Sequence, residues 1–202
     1  MKNFQKKIKL VLILIASICL SGSCVAQKYS KFQKKIKELN EQGLYQEIIT
    51  EVDKGWGNYA KEEDNKIELL MTYADAYSQL GNDEKADSLY EVATLLCENS
   101  KKGKAHDKYV TCLTYRSMVK MYLEQYTEAF NLLETALRYA EKDSEKYAEM
   151  LFSKGLIYLK QNKFNEAYPF FCEANVLAEK YKFKSGNFIV AIGYIGDRKS
   201  VV

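Results

Sequence analysis

A single proline, Pro169, and a single histidine, His106, stand among the 202 residues. The shortage of proline removes the strongest helix breaker. Strand-type alternation is equally hard to find, while apolar residues recur at intervals of three and four, so the chain reads as helix nearly throughout. One histidine, set in the polar stretch 101–108, cannot complete a His/Cys metal cluster, an HExxH helix, or a Ser/His/Asp or Cys/His catalytic set. A glycine-rich phosphate loop is missing as well. No cofactor or bound metal is expected. The acidic clusters Glu62-Glu63-Asp64 and Glu141 with Asp143 fall in polar loops where solvation accounts for them, and a catalytic carboxylate needs a cleft and a perturbing neighbour. Enzymatic activity is not expected of this region.

The two ends differ from everything between them. Lys2, Lys6, Lys7 and Lys9 precede an apolar run from Leu10 to Leu20, followed by small residues and Cys24-Val25-Ala26 before Gln27. This is the three-part layout of a secretory signal peptide over residues 1–26, as in exported proteins of Gram-negative bacteria. Two other readings stay open. The run could remain as an anchor, although it is shorter than the roughly 20 apolar residues of a bilayer span. Cys24 could instead be acylated, although Ser21 stands where a lipoprotein signal expects an apolar residue. At the other end, residues 197–202, Asp197-Arg-Lys-Ser-Val-Val202, match one reading frame of a widely used sequencing adapter. That match implies a gene continuing beyond Gly196, the alternative being a genuine short tail.

Both ends weigh on the charge. The totals are 30 basic and 27 acidic residues. Without four lysines at the start, and two basic and one acidic residue at the end, 24 basic face 26 acidic residues. The basic excess belongs to the ends, so no electrostatic case for nucleic acid survives. Of five cysteines, Cys97, Cys112 and Cys172 would remain after cleavage. An odd number among apolar helical neighbours reads as small buried hydrophobes, not a disulfide framework. A Cys97–Cys112 bridge between successive helices stays open.

The middle repeats. Leu70, Ala74 and Tyr77, then Gly81, then Ala86, Tyr90 and Ala93 describe a helix, a turn and a second helix. Leu151, Gly155 and Tyr158, then Phe164, then Ala167, Phe171 and Ala174 follow the same order. The small residues let paired helices approach closely, the aromatics fill the space beside each contact, and stacked neighbours close a core that one pair cannot cover. These residues resemble the tetratricopeptide (TPR) repeat. The resemblance implies an all-α, right-handed α-solenoid of stacked antiparallel helix pairs. The repeats are expected at about 29–62, 67–100, 110–142 and 148–181, with a partial fifth at 186–196, all within a 27–196 domain. The third unit, Tyr115, Tyr122, Tyr126, Ala129, Leu133 and Ala136, suggests a shortened inter-helix turn, because Glu124-Gln125 leads straight into Tyr126. The first unit is degenerate, with Ile48 at the usual alanine and Gly55 at the second small position. From Ile48 to Ala86, Ala129 and Ala167 the intervals are 38, 43 and 38 residues, against about 34 for the standard unit. Longer units of this kind resemble the TPR regions of bacterial sensors and transcription regulators. Pro169 is expected about four residues into a helix that Asn165 caps, where it costs at most one frayed hydrogen bond.

First helices of TPR units line a concave face. The resemblance places there Gln33, Lys37 and Asn40, then Met71, Asp75, Ser78 and Gln79, then Arg116, Lys120 and Leu123, then Phe152, Leu156 and Leu159. The groove would run from polar to apolar, and its partner would be a protein or peptide. Phe152, Leu156 and Leu159 could equally pack on a following repeat. The chaperone-binding carboxylate clamp of the family is not reproduced by Gln33 with Lys37. The function implied is a non-catalytic binding region in the periplasm, part of a longer signal-transduction protein. Such a protein meets the membrane only through its N-terminal segment or a downstream one. The alternative is a free or lipid-anchored envelope scaffold, and an enzyme with a downstream catalytic domain is a third. Mass spectrometry of envelope material separates the N-terminal readings: a chain starting at Gln27 is expected, retention of Met1–Ala26 means an anchor, and an acylated Cys24 means a lipoprotein.

Overall fold

The computed structural model describes residues 26–103, 107–142 and 144–181. The export segment up to residue 25, the partial fifth repeat, the last six residues, His106 and Asp143 lie outside the described residues. Within them the chain is a series of helices: α1 through residues 26–41, α2 Tyr45–Tyr59, α3 Glu63–Gln79, α4 Asp83–Asn99, α5 Asp107–Tyr122, α6 Tyr126–Tyr139, α7 Glu145–Lys160 and α8 Phe164–Tyr181. From α2 on, each helix packs on its neighbour in the sequence, and α5 also touches α3 and α7. The first helices of successive pairs therefore form the inner layer of an α-solenoid.

The local start signals are those physics prefers. Asn82 caps α4 by accepting from the Lys85 amide, and Ser144 caps α7 by accepting from the Tyr147 amide. Acidic residues fill the first turns of α3 and α4, Glu63 and Asp64 then Asp83 and Glu84, opposite the positive end of the helix dipole. Pro169 lies deeper than expected: Asn165 is itself helical, and α8 begins at Phe164 and runs through the proline. The proline ring therefore removes a bond inside the helix and leaves the Asn165 carbonyl without its usual donor.

All four within-pair turns have the same three-residue length, 42–44, 80–82, 123–125 and 161–163. The expected shortening of the third turn is wrong. Each turn places one residue in the left-handed region: Gly43 at φ 70°, Gly81 at 77°, Glu124 at 60° and Asn162 at 59°. The next residue then donates its amide to a carbonyl five positions back. These bonds are Leu44 to Leu39 at 3.0 Å, Asn82 to Tyr77 at 2.9 Å, Gln125 to Lys120 at 2.8 Å and Lys163 to Tyr158 at 3.0 Å. This is the Schellman closure of a helix end. Glutamate does in the third turn what glycine does in the second, at a conformational cost that glycine avoids. The 43-residue interval has another source: α4 is three residues longer than α6, and the loop after it is two residues longer than the loop after α6.

The small residues sit where packing needs them. Ala74, Ala86, Ser117, Ala129 and Ala167 are fully buried. A Cβ added to Gly155 would come within 2.6 Å of the Phe171 ring, an overlap that the fully buried ring could relieve only by moving. In the first pair Ile36 and Ile48 hold the equivalent positions and pack in one cluster with Val52 and Leu69. Cys97 and Cys112 are buried thiols and Cys172 is half-buried. The Cys97 and Cys112 thiols are hydrogen-bonded across α4 and α5, and this contact with burial raises the Cys112 pKa. The two sulfurs thus meet as thiols, without the bridge that was left open.

Glu124→Gly should raise stability by about 0.5–1 kcal/mol, because glycine adopts the left-handed turn without a Cβ penalty. Gly81→Ala should lower it by about 1 kcal/mol even though open space surrounds the added methyl. Urea denaturation of both variants checks this, and a loss of stability in Glu124→Gly or a gain in Gly81→Ala would refute the shared turn geometry.

Candidate functional site

The inner layer borders an open cavity of about 500 Å³ between α1, α3 and α5, lined by Gln33, Lys37 and Asn40 from α1, Glu68, Thr72, Asp75 and Gln79 from α3, and Tyr115 from α5, with Ile36, Ile48 and Ala76 as its apolar floor. Tyr115 also walls a smaller recess of about 70 Å³ toward α7, with Thr111, Thr114, Lys146 and Glu149. Lys37, Asp75 and Gln79 thus stand together on the inner surface, with Gln33 and Asn40. Met71 is half-buried and packs on the cluster of Ala74, Ala86, Tyr90 and Val119, so it supports the wall without lining the cavity.

Arg116 and Lys120 are elsewhere. Arg116 reaches α4, its Nε 2.8 Å from Asp87 and its Nη2 2.9 Å from Glu91. It belongs to a tie repeated at each junction: Tyr73 donates to Asp53, Arg116 to Glu91 and Lys154 to Glu134. Each donor stands eight residues before a left-handed residue, and each acceptor ten residues after the preceding one. Lys120 takes the position that Tyr77 and Tyr158 hold in the neighbouring pairs, four residues before the left-handed residue. It is only 8% exposed, with Nζ 3.0 Å from Asp87, 2.9 Å from Glu128 and 2.7 Å from the Gln125 amide oxygen. Burial works against its charge, but the Glu128 and Asp87 carboxylates outweigh it and hold the amine above the usual lysine range. The error follows from the turn: a shortened turn moves the α5 frame by two residues. In the correct frame Thr111 answers to Glu68, Tyr115 to Thr72 and Met118 to Asp75.

Phe152, Leu156 and Leu159 are half-buried against Ala167 and Phe171 of α8, with the Phe152 and Phe171 rings 5.1 Å apart. Leu156 also joins the main core. Their open face is small, and the apolar half of the expected groove is largely spent on packing. Sequence reasoning missed Glu68, Thr72, Tyr115 and Glu149. Counting back thirteen and nine residues from each left-handed residue finds them, Tyr115 only once Glu124 is known to be one.

The cavity's charges are unequally balanced. Glu68 accepts from Gln33 at 2.5 Å and pairs with Lys108 at 3.0 Å. Lys37 lies 3.9 Å from Glu41 on its own helix. Asp75 accepts from the hydroxyl of Tyr90, a fully buried residue of α4, and among the described residues no cation pairs with it. Burial pushes the Asp75 carboxyl up to about 6, against the opposing pull of the Tyr90 bond. Because Asp75 keeps an exposed side at the cavity, water tempers that effect. Tyr115 is raised by burial, with Glu149 and Asp75 adding to it, and Glu149 is raised by burial and by Glu145.

A tetratricopeptide repeat family profile matches residues 67–100 and 148–181, the α3–α4 and α7–α8 pairs. No curated protein matches the sequence. Among solved structures, BtubC (BKLC) from P. vanneervenii superposes with a TM-score of 0.70 at 15% identity, covering 87% of this chain and 74% of that one. The nearly identical TPR-like repeats of a Podosopora anserina putative kinesin light chain give 0.62 at 13% identity, over 84% and 88% of the two chains. A substituted form of the same repeats gives 0.63 at 14% identity, over 84% and 87%. At such identities the likeness is one of fold. Two stretches of the chain match the tetratricopeptide repeat, and the fold around them is a TPR-like solenoid, an architecture that generally serves as a non-catalytic protein–protein interaction module.

Asp75 sets a pH dependence. Its folded pKa of about 6 stands above the ordinary 3.8, so the native state holds the proton more tightly. Its contribution favours folding below about pH 4 and is lost as pH rises through 6. Tyr90, Tyr115 and Cys112, which face it, stay neutral across that window, and Glu68 and Lys37 share the cavity. Asp75→Asn keeps an acceptor for Tyr90 and removes the charge. The variant should be more stable than wild type at pH 7, with the gap closing by about pH 4. A gap of constant size in urea titrations at both pH values would contradict the desolvated carboxylate.

Proposed function

We propose that the chain is a protein-binding module of the bacterial envelope that takes an extended segment of its partner in the cavity between α1, α3 and α5. The observation that carries this reading is the cavity itself: three successive first helices supply its walls. Asn40 and Gln79 offer exposed amides not used in the repeat core, suited to the backbone of an extended peptide. The TPR-like architecture supports it, since such solenoids present concave surfaces for partners. Catalysis is not part of the reading.

The N-terminal lysines, the run from Leu10 to Leu20 and Cys24-Val25-Ala26 support export to the periplasm. The long repeats support a sensory region within a longer signal-transduction protein, a step that rests on likeness of repeat length. Cys24 supports the second reading, an envelope scaffold held by lipid.

Both parts can be tested in the source cells. A photo-crosslinking amino acid at Gln79 should capture an envelope protein, and the same residue at Leu95, exposed on α4, should not. Osmotic shock should release the module or leave it with the membrane, but not with the cytoplasm. Equal capture from both positions, or recovery in the cytoplasm, would overturn the corresponding part.

A further inference from the structure

We propose that the cavity selects a peptide segment carrying a lysine or arginine, whose cation docks on the Asp75 carboxylate beside the Tyr115 ring. This rests on the binding module proposed above and names the chemistry of its partner.

Several carboxylates of the repeat stack have a cation; Asp53 and Glu98, like Asp75, accept from a tyrosine hydroxyl instead, but neither of those two lines the cavity. Asp87 is held by Arg116 and Lys120, Glu51 by Lys35 and Lys54, and Glu134 by Lys154. Glu68, in the same cavity, has Lys108. Asp75 has a neutral hydroxyl, that of Tyr90, on one oxygen, while the rest of the group opens into the cavity. With one oxygen taken by Tyr90 and no cation beside it among the described residues, the carboxylate offers an arriving cation a charged hydrogen-bond partner at the cavity.

The repeat itself does not require an acid at this point. The residues in register with Asp75, six before each left-handed residue, are Lys37, Met118 and Leu156. Two of the four equivalent positions carry a charge, of opposite sign, and two are apolar, so the acid at this point serves no shared packing role. Tyr115 stands on the opposing wall, 38% exposed, with a ring face and hydroxyl for the cation or its stem. The volume of about 500 Å³ suits one long side chain with a short stretch of backbone, and the amides of Asn40 and Gln79 can hold that backbone. The raised Asp75 pKa agrees with this, since a bound cation would relieve the desolvation that causes it.

The test pans a random heptapeptide phage library on the full chain, with synthetic versions of enriched peptides measured by calorimetry. The expected result is enrichment of one lysine or arginine. Asp75→Asn should then weaken the enriched peptide by about tenfold or more, while Glu173→Gln on α8 leaves it unchanged. Circular dichroism of Asp75→Asn confirms the fold, and Tyr115→Leu provides a second, smaller loss. Enriched peptides without a basic residue that are blocked by Gln79→Trp would overturn the cation while leaving the cavity as the binding site. N-acetylarginine amide binding as tightly as the peptide would replace the peptide with a small cation and overturn the proposal. Peptides indifferent to both Asp75→Asn and Gln79→Trp, or no enrichment at all, would overturn this inference and the cavity reading together.

Discussion

The left-handed residue that ends each first helix fixes the phase of the solenoid. Once Gly43, Gly81, Glu124 and Asn162 adopt it, the three-residue turn and its backfolded hydrogen bond set the rotation of the second helix relative to the first. Core residues then fall at constant offsets: Leu70, Leu113 and Leu151 stand eleven before it, and Ala86, Ala129 and Ala167 five after it. Burial follows from that spacing, since these six are at most 5% exposed. The same phase directs one stripe of each first helix into the cavity and another toward the preceding second helix.

That second stripe shows how repeats are joined. Apolar contacts between neighbouring pairs carry most of the stability, as in any stack whose units cannot close their own cores. The polar ties of Tyr73, Arg116 and Lys154 add register, because each donor finds its acceptor only at the correct offset. The α4–α5 junction goes furthest, with Asp87 shared between Arg116 and Lys120. Burying a lysine there is tolerable because three oxygens surround its amine, whereas removing Asp87 would leave two cations near each other without it. Its position is that of a tyrosine in the neighbouring pairs, so an ion network has replaced an aromatic plug without changing the fold.

The two units with the usual residues were legible in the sequence down to single positions. Gly155 was read as a close crossing, and the Phe171 ring sits against it. The third unit was legible only as a repeat. Its alanines on α6 were placed correctly, but nothing local announces that Glu124 takes a positive φ, since an L-residue in that region is selected by the bonds around it, not by its own preference. Reading the turn as shortened carried Arg116 and Lys120 onto the groove and hid Tyr115, Thr111 and Met118. On α1 and α3, where glycine marks the turn, the frame is the expected one and Lys37, Asp75 and Gln79 line the cavity. The pairing of Arg116 with Asp87 lies 29 residues apart in sequence, beyond what helical spacing within one element can show.

The cavity is also where the repeats stop copying one another. Eleven residues before the turn the chain offers leucine three times, and five after it alanine three times, because a crossing of fixed geometry admits few side chains. Six before it the chain offers lysine, aspartate, methionine and leucine. Packing does not constrain that position in the same way, so its chemistry can be set by what meets it from outside. The aspartate there faces the cavity with a tyrosine hydroxyl on one oxygen and no cation among the described residues. Retaining it is consistent with a partner that restores the missing charge balance, which ties the least periodic feature of the inner face to the function of the whole stack.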